Sequence, residues 1–110
     1  MLFSPYNFIF NIPFHLTIRE GLEDEYDRRH SAVWDDMKRM LKGAGISNYS
    51  IFRDGTDVFG YWECTDLDRT LAFVNSSEIN ARWQKFMNDV IITSPSERTS
   101  NGMREVFRLD

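Results

Sequence analysis

The chain of 110 residues has one cysteine, three prolines and six glycines, and its 17 Asp and Glu outnumber its 13 Lys and Arg. Each scarcity excludes something. Cys64 alone makes no internal disulfide, and no Cys and His residues stand at zinc-ligand spacing, so a reducing compartment is expected and no metal. A formal net charge of −4 leaves no basic stripe to neutralise phosphates, which removes nucleic acid and anionic membrane surfaces as expected partners. The apolar, uncharged stretch at the start, MLFSPYNFIFNIPF, has no basic leader, is interrupted by Pro5 and Pro13, and is shorter than a membrane span requires. It reads as an N-terminal extension, residues 1–13, to a single domain over 14–110, and the expected location is cytoplasmic. There is no phosphate loop, nucleophile elbow or dinucleotide fingerprint, and so no cofactor is expected.

Aromatic residues, in contrast, are plentiful at 15%. In a domain this small they must be buried, paired across an interface, or set around a pocket. The periodicity says where. Phe14 to Arg19 alternates apolar and polar, as a half-buried strand does. Leu22, Tyr26, His30, Val33, Met37, Met40, Leu41 and Ala44 then recur at helical spacing, predicting one long helix with acids in its first turn, bases in its last, and Gly43 and Gly45 as its stop. Residues 46–53 and 58–64 read as strands joined across Asp54-Gly55-Thr56-Asp57, a hairpin signal. Residues 66–74 and 77–90 read as a helix broken near Asn75-Ser76, with Ser77 capping the second piece. A polar loop over 93–102 leads to a closing strand over 103–109. The order βαββαβ is ferredoxin-like: an antiparallel four-stranded sheet with its helices on one face. The other face is left open, and a second copy of the chain is the expected cover.

With no catalytic motif, the candidates are single side chains. His30 lies on the apolar stripe with Tyr26 one turn before it and Trp34 one turn after. Partial desolvation there favours the neutral imidazole, which accepts a proton at one nitrogen and gives one at the other. Spacing alone leaves a second reading open, a core-edge histidine satisfied by a backbone carbonyl. His15 is a rival on the polar side of the first strand. Tyr49 either meets a ligand or projects from a strand edge, and Trp83 is either a core anchor or a sugar-stacking platform. Glu63 and Asp54 are candidate partners for a second proton transfer, Cys64 reads as a small buried hydrophobe, and Asp24–Arg28 and Glu25–Arg29 are spaced as surface ion pairs.

Tyr26-Asp27-Arg28-Arg29-His30 followed by Trp34, then Asn48-Tyr49-Ser50-Ile51-Phe52, Arg82-Trp83-Gln84-Lys85-Phe86-Met87 and Glu105-Val106-Phe107, together resemble the L-rhamnose mutarotase family. The resemblance runs from about Phe14 to Leu109. It implies a homodimer with a dimeric α+β-barrel fold that interconverts the α and β anomers of L-rhamnose, or of a related 6-deoxy sugar, without a cofactor. It further implies that His30 is the catalytic proton donor and that Tyr26 and Tyr49 bind the monosaccharide. Trp83 matches the first of a sugar-binding Trp-Trp pair, whose second position is Gln84 here. An amide in place of an indole face trades stacking surface for a hydrogen-bonding group. Two other classes share such a fold and pocket: a cofactor-free monooxygenase and a non-catalytic sugar-binding dimer.

Overall fold

The computed structural model describes residues 8–93 and 103–110. Strand β1 (Phe10–Ile18) is followed by helices α1 (Glu23–His30) and α2 (Asp35–Gly43), the hairpin β2 (Ser47–Asp54) and β3 (Asp57–Cys64), helices α3 (Leu67–Asn75) and α4 (Glu78–Met87), and the short strand β4 (Ile91–Thr93). The four strands form one sheet in the order β2-β3-β1-β4, with every neighbouring pair antiparallel. This is the ferredoxin-like arrangement expected from the element order.

Alternation sets the two faces. Ile12, Leu16 and Ile18 of β1 and Val58, Trp62 and Cys64 of β3 are buried, on the face where the helices pack. Around Leu16, Ile18 and Val58 gather Tyr26, Met37, Met40, Trp83 and Met87. A second cluster joins Ile12, Trp62 and Cys64 to Ala44 and Ile46. Cys64 is a free, buried thiol, as read. The opposite face shows His15, Phe52, Phe59 and Tyr61, with Phe52 68% and Phe59 48% exposed. His15 there meets Asp57 across the sheet at 3.0 Å.

Several elements depart from the sequence reading, each for a local reason. The expected single helix is two. The chain leaves helical geometry after His30, where Ser31 Oγ donates back to the Arg28 carbonyl (2.6 Å), a bond that competes with helix continuation. It restarts behind Trp34 (φ −58°, ψ 139°), with Asp35 and Asp36 in the new first turn. The apolar spacing runs on across the break because both helices bury their stripes on the same sheet. Ser77 does cap α4, accepting from the Asn80 amide at 3.2 Å. Pro13 lies inside β1, opposite Tyr61, and the strand begins three residues earlier at Phe10. The closing strand is β4, not 103–109. Residues 103–110 form no strand, and Glu105 there accepts from Asn11 Nδ2 at 3.3 Å. The predicted loop over 93–102 falls outside the described residues apart from Thr93, as do residues 1–7 of the N-terminal extension.

Arg29 fastens α1 to α4. Its side chain, only 11% exposed, donates to Glu25 (2.6 Å), to the Phe86 carbonyl (2.7 Å) and to both carboxylate oxygens of Asp89 (2.8 and 3.1 Å), and its guanidinium lies 4.6 Å from the centre of the Phe86 ring. The i,i+4 spacing therefore predicted the Glu25–Arg29 pair but not its reach to a second helix. Arg28 turns to Glu25 (2.9 and 2.6 Å) rather than to Asp24. Glu25, held between two guanidinium groups, has its carboxyl pulled down to about 2.

Two predictions follow from the packing. Gly60 stands opposite Phe14, and a Cβ at Gly60 would lie 2.1 Å from that ring, so G60A should destabilise the fold by about 1–3 kcal/mol through overpacking, measured by urea denaturation. Arg29→Met should lower the melting temperature. Because Glu25 titrates well below its usual value, the stabilisation it shares with Arg29 is complete above about pH 4.5 and is lost as pH falls toward about 2. The gap between the wild-type and Arg29→Met melting temperatures should therefore narrow in acid, leaving the part due to the Phe86 carbonyl and ring; a gap that persists unchanged there would contradict this.

Candidate active site

Between the sheet and the helices lies a cavity of about 390 Å³, at the small end of the roughly 300–1,000 Å³ typical of small-molecule sites. Its floor is apolar, supplied by Phe14, Leu16 and Trp62 from the sheet and Met37 and Leu41 from α2. The polar groups on its wall are His30, Tyr26, Tyr49, Asn75, Asn80 and Gln84. Among the described residues, no charged side chain lines it. All five site residues expected from the sequence, His30, Tyr26, Tyr49, Trp83 and Gln84, are brought to this one cavity.

Residues Tyr26 and His30 are one turn apart on α1, so their rings stack, with centroids 4.2 Å apart and planes 22° from parallel. The imidazole Nδ1 donates to the Tyr26 carbonyl oxygen at 3.1 Å. The Trp83 ring system and the imidazole meet edge to face, with centroids 5.5 Å apart. Burial lowers the His30 pKa from its usual 6.5, against the opposing pull of the Tyr26 carbonyl and the Asp27 carboxylate. The ring is therefore neutral near physiological pH. Asp27 is itself held by Arg53 from β2 (2.8 and 2.6 Å). Trp34 does not continue the column one turn past His30, as a single helix would have had it. From the start of α2 it packs on Trp83 (5.0 Å) and Phe86 (5.2 Å) instead.

An irregularity in the sheet places Tyr49. Ser47 pairs with Glu63 and Ser50 with Tyr61, so Asn48 and Tyr49 together stand opposite Trp62. The extra residue is a β-bulge. Asn48 takes the left-handed conformation (φ 50°), which Asn tolerates better than most residues, and its Nδ2 donates to Glu63 Oε1 at 2.7 Å. Tyr49 then meets Phe14 edge-on at 6.2 Å at the cavity wall. The residue as a whole is 39% exposed, yet desolvation pushes its phenol pKa up to about 12. Burial likewise raises the Tyr26 hydroxyl.

Glu63, offered by the sequence as a second proton-transfer group, does not line the cavity. It points to the other face of the sheet, where it accepts from Asn48 (2.7 Å) and the Tyr61 hydroxyl (2.7 Å), and these bonds hold its carboxyl below the usual range. Asp54 sits at the hairpin and His15 on the outer face, both away from the cavity. Sequence reasoning missed Asn75, Asn80 and Asn48. Asn80 was findable, because it stands one turn before Gln84 on α4 and accepts from that residue's Nε2 at 3.4 Å. Asn48 carried no signal except an asparagine inside an apolar strand. Among the described residues, no group of three or more His, Cys, Asp or Glu is placed to hold a metal ion.

The family model described as L-rhamnose mutarotase matches residues 11–109. An L-rhamnose mutarotase of Opitutus terrae is 39% identical over 100 residues, covering 88% of this chain and 95% of the relative, and one of Oceanobacillus iheyensis is 37% identical with the same coverage. The crystal structure of an L-rhamnose mutarotase from Formosa agariphila superposes with a TM-score of 0.76 at 27% identity, covering 92% of this chain and 99% of that one. Sequence and fold agree along almost the whole length, and the chain belongs to the L-rhamnose mutarotase family.

Proposed function

We propose that the chain interconverts the α and β anomers of L-rhamnose in this cavity, with His30 moving the protons and Tyr26, Tyr49, Trp83 and Gln84 binding the sugar. Membership of the family makes it an isomerase of the racemase and epimerase class. The observation that carries the assignment of the site is a histidine stacked on Tyr26 at the wall of a cavity that no charged side chain among the described residues lines. A pyranose has no charge to recognise, so phenol hydroxyls and amides suit its hydroxyls, and the apolar floor suits the methyl group of a 6-deoxy sugar. Anomer exchange needs the ring to open, the C1–C2 bond to turn, and the ring to close on the other carbonyl face. Only proton transfers accompany those bond changes, and they fall within what a positioned acid–base group supplies.

A second copy of the chain is the partner we assign to the outer sheet face. Phe52 and Phe59 are exposed there, and Val106, Phe107 and Leu109 of the C-terminal segment are 89%, 78% and 85% exposed. A patch of that kind is covered in most soluble proteins, and an antiparallel sheet face is readily self-complementary about a two-fold axis. A cytoplasmic location fits the single reduced thiol. Among the described residues, no helix is long and apolar enough to cross a membrane.

Saturation-transfer NMR on the anomeric protons of L-rhamnose tests the activity. The protein should accelerate exchange, and H30A should lower the rate by a factor on the order of 10² or more while its circular dichroism stays that of a folded domain. A folded H30A with undiminished rate would remove His30 from the mechanism. Sedimentation should give twice the 13.0 kDa of one chain, falling to one chain in F52D/F59D. A monomeric wild type would refute the assignment of that face.

A further inference from the structure

Strand parity and the lining of the cavity agree at the start of β2 only because one residue there is extra. Ile46, just before the strand, and Tyr49, inside it, both line the cavity. They are three positions apart, a spacing that regular alternation sends to opposite faces. The bulge reconciles them: Ser47 pairs with Glu63 and Ser50 with Tyr61, and Asn48 is the surplus residue. Its left-handed backbone (φ 50°) is a costly conformation for most side chains, and a compensating bond is present. Asn48 Nδ2 donates to Glu63 Oε1 at 2.7 Å. Glu63 is fixed in turn, because the Tyr61 hydroxyl lies 2.7 Å from its Oε2 and 2.8 Å from Asn11 Oδ1. Asn11 Nδ2 also donates to Glu105 Oε1 at 3.3 Å. The network ties β2, β3, β1 and the C-terminal segment together on the face of the sheet away from the cavity.

We infer that Asn48 and Glu63 are positioning residues for sugar binding: their hydrogen bond on the outer face holds the extra residue of β2 in place and so sets the Tyr49 ring at the cavity wall. This rests on the reading above, in which Tyr49 binds the sugar. The link is backbone geometry. A strand either carries the extra residue or pairs regularly, so the bulge is a choice between two registers. Regular pairing continued from Ser50 and Tyr61 would set Asn48 opposite Glu63 and Ser47 opposite Cys64. Ile46 and Tyr49 could then no longer both face inward. Ile46 belongs to the buried cluster around Trp62 and Cys64, so keeping it there draws Tyr49 away from its edge-on contact with Phe14. His30 is held by other means, through the Tyr26 carbonyl and the Trp83 ring. Losing the outer-face bond therefore loosens the grip on the sugar while the imidazole keeps its place.

Reversing the bond tests this. Asn48→Asp keeps the size and the tolerance of a positive φ but sets a second carboxylate against Glu63. Its KM for L-rhamnose, from anomer-exchange rates over a range of sugar concentrations, should rise on the order of tenfold. Its kcat should be nearly unchanged, the signature of lost binding common to ground and transition states. Glu63→Gln retains an oxygen to accept from Asn48 and should stay near the wild type. Asn48→Asp/Glu63→Gln restores the bond with donor and acceptor exchanged and should recover most of the lost KM. Glu63→Leu removes the acceptor without adding charge and gives the same test should Asn48→Asp not fold. An unchanged KM in folded Asn48→Asp or Glu63→Leu, a loss confined to kcat, or a double variant no better than Asn48→Asp would overturn the proposal. Nuclear Overhauser contacts between the Phe14 and Tyr49 rings give a readout free of catalysis. They should weaken in Asn48→Asp and return in the double variant, and their persistence in Asn48→Asp would likewise overturn it. Absence of catalysis by the wild type would refute the mutarotase reading instead, and the ring contacts would then decide the positioning by themselves.

Discussion

Helical geometry brings the side chains at positions 26 and 30 to the same face one turn apart, and here both are flat rings that stack at 4.2 Å. That contact governs the site. It removes one face of the imidazole from water, and the carbonyl beneath it fixes the ring's rotation through Nδ1. Trp83 from α4 packs at right angles to the imidazole, and Trp34 and Phe86 back Trp83 in turn. Four of the sixteen Phe, Tyr and Trp residues, Tyr26, Trp34, Trp83 and Phe86, thus form with His30 one connected assembly joining α1, α2 and α4. Ending α1 at His30 also matters, because the chain turns away there and Trp34 is free to brace Trp83 from the side.

The sheet contributes through two places where regular geometry is interrupted. Gly60 leaves room for the Phe14 ring to lie over β3, which sets the cavity floor. The bulge at Asn48 and Tyr49, pinned by Glu63, delivers a tyrosine to the cavity from a strand whose other residues are mostly exposed. Glu63 therefore holds the bulge from the opposite face of the sheet.

Much of this was legible in the sequence because it rests on periodicity. Alternation located β1, aromatic and β-branched content located β2 and β3, the Asp54-Gly55 signal located the hairpin between them, and the 3.6-residue stripe put Tyr26, His30 and Trp83 on inward faces. The stripe could not reveal the break after His30, since two helices packed on one sheet keep one apolar rhythm. It was equally silent on β4: Ile91 and Ile92 are only part of a three-residue strand, too short to alternate. Asn75 and Asn80 converge with Gln84 through tertiary packing, which no single-helix pattern records. The role of Glu63 was misjudged for a related reason. Parity within β3 places it opposite to Trp62, but a carboxylate in a strand invites a catalytic reading until the faces are assigned.

The neutrality of the cavity wall also decides what is kept out. A sugar phosphate or a uronate would carry its anion into a space lined by phenols, amides, an uncharged imidazole and hydrocarbon. Among the described residues no arginine or lysine lines the wall to receive it, and the cost of stripping water from that anion goes uncompensated by them. A wall of this chemistry favours an uncharged sugar over an ionised one.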